Sequence, residues 1–216
     1  MTPRFSADSV LFDLDGTLWD AGEGTAEAYN ETAASMGLSR RFTAEDLHGV
    51  MGLPAQELLD RFVPQLDRQA QKRFSQAVSA AECEILRTGR GSTLFPGVRG
   101  LLETLRGRGL RLFIVSNCQT GYIEAFLEAY GLAPLIEGFE HPGRTGLDKG
   151  GNIALVVRTY GLRAPVYVGD AAVDEAGARK AGVPFIRAAY GFGTPGSWDA
   201  SIDAPQDLPA LLAPLA

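Results

Sequence analysis

Hydrophobic positions along the chain fall into short, nearly continuous runs separated by long amphipathic stretches. The runs cover residues 9–12, 110–115, 165–168 and 184–186. Each is strand-length, rich in β-branched or aromatic residues, and stops at a polar residue or glycine. Between them, helical periodicity predicts helices over residues 98–108, 122–130, 151–160 and 173–181. Gly109, Gly131, Gly161 and Gly182 follow these stretches, where a left-handed cap favours glycine. Strand, helix, glycine, strand is the rhythm of βαβ units. It predicts a doubly wound, Rossmann-like parallel-sheet α/β core covered on both faces.

Residues 22–93 break this rhythm and carry only helix signals. An amphipathic stretch over 23–36 ends at Gly37, residues 43–46 have the form of a capping box, and 67–86 form a long polar helix. In that last helix Phe74, Val78, Ile85 and Leu86 make a plausible buried stripe. The pattern predicts an all-helical domain over 21–91, inserted into an α/β core formed by 1–20 and 92–216. Residues 194–216 are rich in Pro, Ala and Asp and are expected to wrap the surface with one short helix.

Composition narrows the class of function. The 216 residues carry 20 Lys and Arg against 26 Asp and Glu, a net charge of −6, which disfavours a broad nucleic-acid surface. Two cysteines, Cys83 and Cys118, give neither a disulfide scaffold nor a zinc spacing. The first apolar run starts at Val10 and is interrupted by Asp13, unlike a signal peptide, and no run approaches membrane-spanning length. A cytoplasmic protein without membrane partners is the expectation.

The chemistry concentrates where the apolar runs end. In Val10-Leu-Phe-Asp-Leu-Asp-Gly-Thr17, Asp13 and Asp15 are two apart and project to one side of an extended backbone. Ligands of open α/β sheets bind outside the carboxyl ends of strands, where this pair sits. Two carboxylates there repel unless a proton or cation intervenes, and hard oxygen donors suit Mg²⁺. Ser116 lies just beyond the second strand, where its hydroxyl and nearby N–H groups suit a phosphoryl oxygen. Lys149 opens a helix, where the macrodipole offers a cation nothing, so an anion-binding duty explains it better. Asp170 ends a third strand and Asp174 follows one helical turn later. Taken singly, each has a plain structural explanation: a solvated turn, a helix cap, a surface lysine.

Together and in this order, these motifs resemble those of the haloacid dehalogenase superfamily: Asp-x-Asp, then Ser or Thr, then Lys, then Gly-Asp-x-x-x-Asp. The resemblance spans residues 9–193, and the helical insert resembles the C1-type cap of phosphoglycolate phosphatase-like members. It implies a Mg²⁺-dependent phosphatase acting on a small-molecule phosphate ester through an aspartyl-phosphate. Asp13 matches the nucleophile. Asp15 matches the general acid and base, with its backbone carbonyl a metal ligand. Ser116 and Lys149 match the groups that hold the phosphoryl. Asp13, Asp15, Asp170 and Asp174 form the implied metal set, Asp170 as a direct ligand and Asp174 holding a metal-bound water or Lys149. Asn117, Thr17 and Gly52 are the expected substrate contacts, Gly52 through the loop 48–58, which resembles the Gly-x-Pro-x-x-Glu-Leu loop of such caps.

Charge supports that scheme, because four carboxylates and one lysine would repel a phosphate dianion unless Mg²⁺ and a proton on Asp15 neutralised them. Dehalogenases of the superfamily lack the second aspartate, so Asp15 favours phosphoryl transfer. A sugar-phosphate mutase on the same core is the alternative. It calls for a basic cap residue, and loop 48–58 has no Lys or Arg, while Arg40, Arg41 and Arg61 are expected at solvated helix ends. A phospho-receiver module uses similar groups in another order. His48, His141 and Cys118 are expected to be structural, and Trp19 a hydrophobic wedge or a sensor of cap opening. A monomer or homodimer is expected.

Overall fold

A computed structural model of the chain describes residues 4–50 and 55–214. The strand β1 (Phe5–Ala7) leads into β2 (Ser9–Phe12), and after a tight loop comes the two-residue β3 (Trp19–Asp20). Four helices follow: α1 (Gly22–Ser35), α2 (Ala44–His48), α3 (Ala55–Phe62) and α4 (Arg68–Arg87). The short β4 (Thr93–Leu94) pairs antiparallel with β3, and α5 (Val98–Gly107) begins the alternating half of the chain. There follow β5 (Arg111–Val115), α6 (Tyr122–Tyr130), β6 (Gly138–Glu140), α7 (Pro142–Thr145) and α8 (Lys149–Tyr160). The last elements are β7 (Pro165–Gly169), α9 (Ala172–Ala181), β8 (Phe185–Ala188), β9 (Ala200–Ile202), α10 (Leu208–Leu211) and β10 (Leu212–Pro214).

Six strands form one parallel sheet in the order β6-β5-β2-β7-β8-β9. All four residues of β2 are buried, as the continuous apolar run requires of a central strand covered on both faces. The chain builds from β2 toward β5 and β6, then crosses to β7 on the other side. The β2 carboxyl end is therefore the topological switch point. One face of the sheet packs Val10, Phe12, Leu112 and Ile114 against α5 and α6, and the other packs Leu11, Phe113 and Tyr167 against α8 and α9. The residues after the predicted helices, Gly109, Gly131, Gly161 and Gly182, all adopt positive φ.

Three differences from the sequence reading have local causes. Helix α8 starts at Lys149, two residues before the predicted start, because Asp148 caps it by accepting from Gly151 N at 2.8 Å. A Cβ at Gly150 would fall 2.9 Å from Lys180 Cβ, so this glycine of the first turn serves close helix packing. The edge strands β6 and β9 have three residues each, too short for a periodicity signal. The tail thus does more than wrap the surface: β9 extends the main sheet and β10 pairs with β1.

Helices α1 to α4 enclose a separate cluster around Tyr29, Phe42, Phe62, Phe74 and Val78. Thr43 caps α2 in the capping box anticipated from sequence, and Asp67 caps α4. Among the described residues, no helix is long and apolar enough to cross a membrane. Phe74 is fully buried in the helical cluster, its ring 5.8 Å from that of Tyr29. Phe74→Ala is expected to cost about 3–5 kcal/mol, read as a lowered urea midpoint; a shift of a few tenths would mean that this cluster repacks freely.

Candidate active site

Adjacent strands β5, β2 and β7 deliver Ser116, Asp13 and Asp170 to one edge of the sheet. Asp13 leaves β2 still hydrogen-bonded, its N–H donating to Val168 O at 2.8 Å. A cavity of about 800 Å³ opens above this edge, lined from below by Asp13, Asp15, Ser116, Asn117, Lys149 and Asp170. Its upper wall comes from the helical segment, through residues such as Thr25, Tyr29, His48, Leu59 and Glu82.

Lys149 is 3% exposed and lies between two carboxylates. Its Nζ is 2.8 Å from Asp13 Oδ1 and donates a hydrogen bond to Asp174 Oδ1. Burial alone would lower the ammonium, but Asp13 and Asp174 outweigh it and hold it above its ordinary range. Asp174 is fully engaged: its Oδ2 accepts from Asp170 N and Ala171 N at 3.0 and 2.9 Å, and Tyr167 OH approaches Oδ1 at 3.4 Å. The glycine of the Gly-Asp step has a steric cause here, since a Cβ at Gly169 would fall 2.6 Å from the Asp174 carboxyl.

Asp13 and Asp15 sit in different surroundings. The contact of Asp13 with Lys149 is an ion pair without hydrogen-bond geometry, so its buried Oδ1 accepts no hydrogen bond. Burial, and then the Asp174 charge, push Asp13 up to about 7, with Lys149 opposing. Asp15 receives two neutral donors on one oxygen: Trp19 Nε1 at 2.9 Å and Tyr122 OH at 2.8 Å, both to Oδ1. Burial, and then the Asp13 charge, raise it to about 8. Asp170 gives Oδ2 to the N–H groups of Phe192 and Gly193, each at 2.8 Å, and burial followed by Asp174 brings it to about 6.

A divalent cation fits this donor set. Asp13, Asp170 and Asp174 each place one carboxylate oxygen within 4.8 Å of the others. Asp13 Oδ1 is buried beside the Lys149 ammonium without a hydrogen bond, and Asp170 Oδ1 accepts no hydrogen bond among the described residues. Asp174 has both oxygens occupied by Lys149 and by amides, which suits a holding role over direct ligation. The Asp15 side chain stands outside this group, turned toward Trp19 and Tyr122, so any share in ligation falls to its backbone.

Other residues singled out from sequence land elsewhere. Thr17 is fully buried and lies outside the cavity lining, its hydroxyl without a hydrogen-bond partner among the described residues. Gly52 lies outside the described residues. Arg40, Arg41 and Arg61 line no part of the cavity; Arg40 instead stacks on Phe42 and Phe62 and donates to Phe62 O. His48 does line it, bonded to Asp20 Oδ1 at 2.9 Å and stacked on Phe192 at 4.0 Å. It thereby braces the loop whose amides hold Asp170. Trp19 is completely buried, edge-on to Phe126, and orients Asp15. Tyr167 and Glu82 carried no functional signal in the sequence, because a tyrosine on a strand or a glutamate on a helix reads as packing or a solvated face.

The profile of the haloacid dehalogenase-like hydrolase family matches residues 10–188. A phosphoglycolate phosphatase of Cupriavidus necator is 32% identical over 227 aligned positions, covering 99% of this chain and 96% of its own. One from Rhodospirillum rubrum is 31% identical, covering 85% of this chain and 80% of its own. Among solved structures, a haloacid dehalogenase-like family hydrolase from Streptococcus pneumoniae superposes with a TM-score of 0.80 at 23% identity, covering 94% of this chain and 97% of that one. That last likeness is one of fold.

Asp13, Asp15 and Asp170 all keep their protons to higher pH when folded than in an unfolded chain, where a carboxyl titrates near 3.8. Their contribution to stability is complete below about pH 4 and is lost as pH rises through about 6 to 8. The Tm of the metal-free protein should therefore fall across that interval. Asp15→Asn keeps an oxygen for Trp19 and Tyr122 but cannot ionise, and should remove the upper part of the fall. Parallel Tm profiles for the two proteins would contradict the assignment of that step to Asp15.

Proposed function

Because the chain belongs to the haloacid dehalogenase-like hydrolases and is a phosphoric monoester hydrolase, we propose that it dephosphorylates small-molecule esters through an aspartyl-phosphate on Asp13. The observation that carries this reading is the divided environment of two carboxylates two residues apart. Asp13 faces an ammonium and Asp15 faces two neutral donors. Carboxylates whose surroundings separate them in this way take opposite roles in acid–base chemistry. Asp13 is the nucleophile and Asp15 the proton carrier.

In the first step Asp13 attacks phosphorus in line, a phosphorus–oxygen bond forms, and the ester oxygen departs with the proton of Asp15. In the second, water attacks the phosphoryl group as Asp15 takes its proton, which releases phosphate and restores both carboxyls. Since Trp19 and Tyr122 hold Oδ1, the proton belongs on Asp15 Oδ2. Lys149 favours ionised Asp13 and offers positive charge to the phosphoryl oxygens, with Ser116 and the Asn117 segment donating beside it. Asp13, Asp170 and the Asp15 backbone carbonyl would hold Mg²⁺, which supplies the positive charge that a dianion needs beside so many carboxylates.

Residues 21–91 act as a cap over the core of residues 1–20 and 92–216, excluding bulk water when closed. Their separate apolar cluster and the short β3–β4 ribbon at the crossing support that division. A mutase must seat a bisphosphate. Among the described residues lining the cavity, Lys149 is the one lysine or arginine, and it is already paired with two carboxylates. The hydrolase is favoured on that ground. The groups of a receiver module come in another order, and a covered cavity suits turnover of a small ester.

Turnover of p-nitrophenyl phosphate should require Mg²⁺, cease with EDTA, and fall by at least about a thousandfold in Asp13→Asn. Full activity of that variant would remove Asp13 as nucleophile. Asp15→Asn should slow alkyl phosphates by about 10²–10⁴-fold and p-nitrophenyl phosphate much less, because nitrophenolate leaves without a proton. Equal losses on both substrates would exclude Asp15 as the general acid.

A further inference from the structure

One buried acidic group of the cavity has no assigned contact with the ester, although its charge adds to those that raise Asp15. Glu82 on α4 is 7% exposed and lines the cavity, bonded to Thr25 of α1 and to Gln119 of the loop before α6. Its Oε1 accepts from Thr25 Oγ1 at 2.6 Å and its Oε2 accepts from Gln119 Nε2. The two donors favour the ionised carboxylate, while burial opposes them and raises the carboxyl above its ordinary range. It forms no ion pair among the described residues, although burying an unpaired charge is costly. Such a group is retained where it has a task.

The surroundings define that task. The ester's phosphoryl end belongs at Asp13 and Lys149, so its alcohol end projects toward the helical wall. There Thr25, Tyr29, Ser75 and Ser79 supply hydroxyls, and Leu47, Leu58 and Val78 supply apolar surface. No lysine or arginine faces this half among the described residues, and the remaining residues, 1–3, 51–54 and 215–216, include no lysine, arginine or histidine. The half-buried His48 is bonded to Asp20 and stacked on Phe192, away from Glu82's two partners. A carboxylate or second phosphate on the alcohol would be desolvated beside Glu82 with no counter-charge. A hydroxyl there would donate to a free lone pair of the Glu82 carboxylate and accept from the wall's own hydroxyls.

We propose that Glu82 is a specificity-determining residue that selects a hydroxyl-bearing alcohol without a second anion, so that the substrate class is polyol or sugar-like monophosphates and not carboxylate-bearing esters. The assignment rests on the phosphatase reading above. It also separates this chain from relatives named for phosphoglycolate, whose leaving group carries a carboxylate.

The test compares kcat/KM for glycerol 3-phosphate, phosphoglycolate and phosphoethanolamine in the Mg²⁺-loaded protein, with p-nitrophenyl phosphate as the reference for the chemistry. Glycerol 3-phosphate should exceed phosphoglycolate by about tenfold or more in the wild type. Glu82→Gln can keep both hydrogen bonds after rotation of the amides while losing the charge, and should shrink that ratio by about tenfold. A wild type that prefers phosphoglycolate, or a ratio that Glu82→Gln does not move, overturns the proposal. Preference for phosphoethanolamine overturns the hydroxyl assignment in favour of a cationic alcohol. If Glu82→Gln fails to fold, the wild-type ratio decides alone. Absence of p-nitrophenyl phosphate turnover in the wild type would instead defeat the phosphatase reading, so the two failures are distinguishable.

Discussion

The site depends on one ammonium buried among carboxylates. Lys149 reaches the sheet edge from the first turn of α8 and meets Asp13 from β2 and Asp174 from α9. Three separate segments are thereby fixed relative to one another by a single group. The two carboxylates are compensated unequally: Asp174 has both oxygens hydrogen-bonded, by amides and by Lys149, whereas Asp13 Oδ1 has the Lys149 ion pair and no hydrogen bond. A low-dielectric site holding excess negative charge has a strong demand for a cation, and through it for the anion the cation brings. Buried ion pairs are weak sources of stability, so this arrangement is better understood as organisation for chemistry.

The same economy of placement separates Asp13 from Asp15. A period of two puts both carboxyls at the strand end, but the loop that follows turns Asp15 toward an aromatic cluster. Trp19, Tyr122, Phe126 and Tyr130 pack edge to face there, and the first two present their polar atoms to one carboxyl oxygen. Aromatic residues of this kind exclude water and donate hydrogen bonds without bringing charge. Burial there and the neighbouring Asp13 charge raise Asp15 to about 8, against the two donors, which favour its ionised form.

Sequence reading located the core motifs because doubly wound sheets make strand ends legible. A run of apolar residues closed by Asp, Ser or Gly-Asp marks both the end of a strand and the place where ligands bind. The long helices were equally readable from Asp67, Thr43 and the closing glycines. The three-residue strands β6 and β9 were not, since pairing with the neighbouring strand, and not their own pattern, makes them strands. Groups that act on a catalytic residue from a distant element were also hidden. Tyr122 reaches Asp15 across 107 positions and Gln119 reaches Glu82 across 37, and nothing in local spacing records such contacts. Thr17 shows the converse hazard: adjacency to a motif placed it near the site in sequence, while the turn buried its side chain in the core.

Two of the contacts between the helical segment and the core bear on the chemistry. On one side His48 of α2 stacks on Phe192, whose N–H holds Asp170. On the other, Glu82 of α4 joins Gln119, in the loop between Ser116 and Tyr122. One contact touches the loop that steadies a candidate metal ligand, and the other touches the loop that carries the phosphoryl donor and the Asp15 partner. Movement of the helical segment away from the core would loosen both loops together, whereas closure would brace them. An alcohol that fits beside Glu82 would therefore stabilise the arrangement in which both contacts are made. A ligand shifts such an equilibrium only by its differential affinity for the closed form. The charge on Glu82 is thus placed where rejecting a wrong alcohol also withholds the assembled site from it.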